Sequence, residues 1–231
     1  MRYVCRHVSG VAILLSVLLI GACATDTRES TNQQLSRAEA TFTRFQSDPE
    51  MNWFRNNVGR ARAVLISPSI TRAGFVVGGS GGDALLLARD DGGRWAGPAF
   101  YNMGTASVGF QAGVDQSEVV ILVMNEKALD ALLSRSVKLG GDASVAAGPV
   151  GVGASGTVNA DMITFSRSKG LFAGVSLEGA VISPDTNANS AFYSSSATPS
   201  DILVRHTVSN PTATPLQQAL SRSTTAVGRS Q

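Results

Sequence analysis

The 231-residue chain is 43% hydrophobic and 16% charged, the make-up of one folded domain and not of a disordered tail. Nineteen Lys and Arg face seventeen Asp and Glu; with Arg2 and Arg6 set aside the balance is neutral, and the lysines are only three, Lys127, Lys138 and Lys169. That argues against nucleic acid as a partner. Two histidines (His7, His206) and two cysteines (Cys5, Cys23) complete the inventory, so removal or modification of the first 23 residues leaves no Cys/His zinc site, thiol nucleophile or disulfide to build.

In chain order, Met1 to Ala22 reads as an export signal, with Arg2 and Arg6 ahead of the apolar run Val11 to Ile20. The run is too short for a bilayer span, which needs roughly 20 apolar residues. It ends in Ile20-Gly21-Ala22-Cys23, which resembles a bacterial lipobox, and acylation of Cys23 would give an effectively permanent anchor. Ala24 after the cysteine favours the periplasmic face of the outer membrane over inner-membrane retention. Residues 23–31 are then a polar tether, 32–222 a single domain and 223–231 a disordered tail.

From Ser30 to about Arg62 the pattern is helical: Leu35, Ala38, Phe42 and Phe45 recur at three- and four-residue spacing, and Asp48-Pro49-Glu50 starts a second helix. That second helix sets Met51, Trp53, Phe54 and Val58 among Arg55, Arg60 and Arg62. Its apolar face can pack on a core or lie in a membrane interface. After Arg62 come β-prone runs punctuated by glycine, 20 of the 24 glycines falling between Gly74 and Gly179. Expected strands are Ala63 to Ile66, Gly74 to Gly78, Ala84 to Ala88, Ser107 to Val114, Val119 to Met124, Ala143 to Val150, Met162 to Ser168 and Leu171 to Ile182. One helix, Glu126 to Leu133, capped by Asn125, interrupts them. Short helical pieces follow in Asp185 to Tyr193, from Pro199 and in Pro215 to Arg222. The fold class is α+β: a strongly curved, mainly antiparallel, barrel-like sheet with amino-terminal amphipathic helices and one inserted helix.

The short motifs point mostly to loops. Gly78-Gly79-Ser80-Gly81-Gly82 matches G-x-S-x-G, but a nucleophile elbow needs a strand-to-helix turn and a histidine base, and His206 has no evident orienting partner. Gly151 to Gly156 matches G-x-G-x-x-G without the helix that would bind a pyrophosphate. Asp185-Thr186-Asn187-Ala188-Asn189 begins like a calcium loop, yet Ser190 and Ser196 stand where the turn glycine and bidentate glutamate belong, so an Asx-turn cluster is expected. Among Asp115, Glu118, Glu126 and Glu178 no spacing selects a catalytic pair. Ser166-Arg167-Ser168-Lys169 is either a phosphate contact or a solvated hairpin end.

Several ordered blocks carry a family resemblance: Ala63 to Pro68, Ala73 to Gly79, Ala96 to Phe100, Ser107 to Gly113, Val123 to Leu129, Leu139 to Pro149 and Ser166 to Gly179. Together they resemble the SYLF family of lipid-binding domains along roughly Ser36 to Tyr193. The resemblance implies phospholipid binding with no known chemistry, in some members through a basic amphipathic amino-terminal helix, which maps here onto Trp53 to Arg62; no cofactor and no metal are expected. The expectation is a non-catalytic module for anionic phospholipid membranes, in which Arg55, Arg60, Arg62, Arg72, Arg167 and Lys169 meet headgroups while Trp53 and Phe54 enter the interface. An envelope module for a protein or cell-wall partner is the alternative, and a hydrolase using Ser80 or a carboxylate pair is the third.

Overall fold

The stripe Leu35, Ala38, Phe42 and Phe45 is buried throughout in the computed structural model, where residues 30–47 form helix α1. The structure describes residues 30–74, 77–108, 113–134, 136–174 and 177–228; the export segment and Cys23 lie outside them. Asp48 begins the next helical stretch, its side chain accepting from the Glu50 amide with Pro49 in the first position. The resulting 3-10 turn, Pro49–Met51, leads into α2 (Asn52–Asn57) and a second turn, Val58–Arg60.

Beyond Arg62 four long strands run back and forth: β1 (Ala63–Gly74), β2 (Val77–Arg89), β3 (Trp95–Val108) and β4 (Gly113–Val123). Shorter ones follow: β5 (Val137–Lys138), β6 (Val145–Ala147), β7 (Met162–Ser168), β8 (Leu171–Gly174) and β9 (Val181–Pro184). The order across the strongly curled sheet is β5-β9-β3-β2-β1-β4-β7-β6, with β8 also on β7. Pairing is antiparallel except for β6 on β7. The α+β class and the curvature expected of a glycine-rich sheet are both present.

Four of the expected strands need correction. Gly74 ends β1, while Gly78 and Ala84 to Ala88 belong to one uninterrupted β2. Ser107 to Val114 straddles the end of β3 and the start of β4. The rest of β3 is hidden in the sequence by Gly97-Pro98, which reads as a turn. Proline is tolerated there because the β2 register shifts between Leu86 and Ala88, and β9 joins β3 only from Tyr101 onward. The run Leu171 to Ile182 is likewise two strands, separated by a turn in which Gly179 adopts a φ of +82°.

The central strands are apolar on both faces, so the sheet separates two cores. Ala63, Leu65, Leu86, Ile121 and Val123 face one core, closed by α3 (Glu126–Ser134), α5 (Pro199–Leu203) and the β5 and β9 region. Val64, Ile66, Leu85, Leu87, Val120 and Leu122 face the other, covered by α1, α2, α4 (Thr186–Tyr193) and α6 (Thr214–Gly228). Among the described residues, both cores are assembled from within 30–228, so that segment holds the packing of the fold. Asn125 caps α3 through the Ala128 amide at 3.0 Å, as its sequence suggests. Helix α6 continues to Gly228, past the expected end at Arg222, so the tail is helical over most of 223–231.

Candidate functional site

Helix α1 lies across the sheet and is bolted to it at two polar points. Near its start, Gln34 Nε2 donates to Asp83 Oδ2 on β2 at 3.0 Å. Near its end, Thr41 Oγ1 donates to Glu118 Oε1 on β4 at 2.9 Å, and the Arg44 guanidinium grips both Glu118 oxygens. Arg167, the cross-strand neighbour of Glu118 on β7, adds a contact of 3.3 Å and sits 5.6 Å from the Phe172 ring centre. Burial alone would raise the Glu118 carboxyl; hydrogen bonds from Arg44, Thr41 and Arg167 outweigh it and hold the group below its ordinary value. Asp83 moves the other way, because burial and the nearby Asp185 charge outweigh Arg37.

Past that line the four long strands continue toward one end of the sheet. In register there, Thr105 on β3 pairs Ser80 on β2, Ser80 pairs Arg72 on β1, and Arg72 pairs Asp115 on β4. Ser80 and Thr105 share a hydroxyl hydrogen bond of 2.8 Å, and Ser168 donates to Asp115 at 3.0 Å. Ser80 is therefore a mid-strand residue; the strand offers no elbow for a nucleophile, and its glycines are not the hairpin loop that the motif suggests. At the same end, the β7–β8 turn presents Lys169, at a φ of +49°, and then Leu171, 75% exposed. Arg72 and Lys169 are exposed, and among the described residues neither side chain makes a hydrogen bond or ion pair.

The other expected site residues are elsewhere. Trp53 and Phe54 are 5% and 0% exposed, so the interfacial role expected of them is withdrawn. Phe54 packs edge-on against Phe42, Phe45 and Phe165, while Trp53 lies on Phe165 and donates from Nε1 to the Gly156 carbonyl at 2.8 Å. The amphipathic pattern of α2 thus records a core contact. Arg55 donates to the Asp48 carbonyl, Arg60 to Asn57 Oδ1, and Arg62 pairs with Glu126 at 2.7 Å. Arg62 and Arg72 are ten positions apart along the line of β1, about 33 Å at strand rise. The expected basic surface is consequently divided between opposite ends of the sheet, and Arg167 is spent on Glu118.

Gly151 to Gly156 lies in a loop before β7, held to the 3-10 turn by a Gly151 amide to Glu50 carbonyl bond of 2.9 Å. Asp185 is the N-cap of α4, accepting from the Ala188 amide at 2.9 Å, which is the Asx-turn expectation in helical form. Glu178 sits in an exposed turn, not in a strand. Among the described residues no three His, Cys, Asp or Glu side chains stand together as metal ligands, and no helix is long and apolar enough to cross a membrane. Sequence reasoning missed Arg44 and Leu171. The signal for Arg44 was its three-residue offset from Thr41 on the polar flank of α1; for Leu171 it was hairpin parity, which sends the residue after Lys169-Gly170 outward.

Fold and site define an α+β domain on a curled, glycine-rich sheet, clamped by its first helix and open at a charged end. Residues 104–223 match the model of the Ysc84 family, described as Las17-binding protein actin regulator, and the chain belongs to that family. An SH3 domain-containing protein of Schizosaccharomyces pombe is 37% identical over 165 residues, 68% of this chain and 38% of that protein. Protein YSC84 of Saccharomyces cerevisiae is 34% identical over 168 residues, 70% of this chain and 36% of that protein. SH3 domain-containing YSC84-like protein 1 of Xenopus laevis is 38% identical over 130 residues, 54% of this chain and 39% of that protein. The chain thus spans less than half the length of these curated relatives.

Proposed function

We propose that this chain is an envelope lipoprotein, anchored through Cys23 at the periplasmic face of the outer membrane, whose Ysc84-family domain binds anionic phospholipid and performs no catalysis. The observation that carries the reading is a juxtaposition: the acylation motif Ile20 to Cys23 stands seven positions ahead of α1 in a domain of a family whose resemblance implies lipid binding. An anchored domain meets membrane at high local concentration, so weak intrinsic affinity suffices. The test has two arms. Radiolabelled palmitate should enter the full chain and fail to enter a Cys23→Ala variant. The segment 30–231, without the anchor, should sediment with anionic vesicles and be released by salt; equal, negligible sedimentation with anionic and neutral vesicles overturns lipid binding.

The family description favours one second reading, a protein-binding module. Cross-linking that captures one protein stoichiometrically, with no vesicle binding by segment 30–231, would replace the lipid reading with it.

A further inference from the structure

Resting on that membrane reading, the structure assigns the membrane contact to the open end of the sheet, at Arg72, Lys169 and Leu171, and not to the basic helix α2. Three observations converge on this end. Arg72 and Lys169 are unengaged here, whereas the arginines at the opposite end already have acceptors: Arg62 with Glu126, Arg94 with Asp90, Arg89 with the Gly59 carbonyl and Arg60 with Asn57. The local charge past the clamp is positive, since Arg72 and Lys169 outnumber Asp115. A large aliphatic side chain, Leu171, stands in solvent two residues from Lys169, an apolar tip beside a cation as an interfacial contact requires.

Lys169 falls level with Thr71, one position short of Arg72 along the sheet. Ser168 pairs with Ser117 on β4, and Ser117 with Ile70 on β1, so the next residues along β7 and β1 extend the same way, two strand spacings or about 10 Å apart. The tether reaches this arrangement. From Cys23 to Ser30 the chain spans at most about 24 Å; Gln34, one turn into α1, contacts Asp83, from which β2 runs about 17 Å to Gly78 toward that end. With that end on the bilayer, the start of α1 hangs within reach of an acyl anchor in the same leaflet. The partner is an anionic bilayer surface: two unpaired cations supply headgroup attraction, and one leucine supplies a shallow apolar contact.

Segment 30–231 is titrated with vesicles of phosphatidylglycerol and phosphatidylcholine. Arg72→Gln and Lys169→Asn, the latter chosen because asparagine tolerates positive φ, should each weaken binding about fivefold. Leu171→Ser should weaken it at every salt concentration, because its contribution is not electrostatic. Arg94→Gln and the loop variant Val152→Ser, which removes another exposed aliphatic chain, should bind as the parent does. Unchanged melting temperatures verify that the exposed substitutions leave the fold intact. Parent-like binding by the three open-end variants overturns the placement and leaves the membrane reading standing; failure of the parent itself to bind overturns both.

Discussion

At single positions, the tightest constraints lie where a side chain would meet backbone or ring. A Cβ on Gly148 would approach the Phe165 ring to 2.1 Å, and Phe165 cannot move because Trp53 and Phe54 pack on it. Gly148→Ala should therefore cost about 2–3 kcal/mol, read by urea denaturation. Ser80→Ala should cost about 1 kcal/mol or less, since it removes one hydroxyl bond to Thr105. Glu118→Gln should cost about 1–2 kcal/mol at pH 7, the lower part of the range for charged hydrogen bonds because Arg44 is 42% exposed. The sign with pH follows from the lowered carboxyl: its contribution is complete above the ordinary 4.5 and is lost as pH falls through the folded-state value. The stability gap between parent and Glu118→Gln should consequently narrow below pH 4.5. Asp83 carries the opposite sign, its ionised form being disfavoured by folding, so Asp83→Asn should be neutral or stabilising at pH 7. An acid-induced loss in Asp83→Asn larger than in the parent fits this account, and a neutral-pH loss would contradict it.

At the scale of elements, the helices announce themselves through chemistry that acts locally. Asp48-Pro49 and Asn125 cap where the sequence places them, the helix expected from Pro199 opens on a Thr198/Asp201 capping box, and Thr198→Ala should destabilise by about 1 kcal/mol. The strands were harder to read because their defining partners are distant. Pro98 looks like a break until β2 is seen to shift register beside it, and Gly78 to Gly82 looks like a loop until β1 and β3 are seen to flank it. The same limit explains α2. Periodicity shows that Trp53, Phe54 and Val58 form an apolar face, but what covers that face, Phe165 and its neighbours or a bilayer, is decided by residues about a hundred positions away. Arg72 and Lys169 could be listed from the sequence as cations; that they share a sheet end, and that Arg62 does not, is a property of strand order alone.

For the whole molecule, β1, β2 and β4 supply alternate residues to both cores, so neither core survives loss of the sheet between them. Segment 30–228 should unfold in one calorimetric transition with equal van't Hoff and calorimetric enthalpies, and two resolved transitions would show the cores to be independent. Helix α1 gives this unity a mechanical meaning. Its contacts with Asp83 and Glu118 lie on different strands, one near each end of the helix. Tension entering from residue 30 would first bear on the Gln34 bond, which is exposed and uncharged on the helix side, and only then on the two-armed grip of Arg44. The helix would peel like a strap from its weak buckle toward its strong one, with the sheet intact behind it.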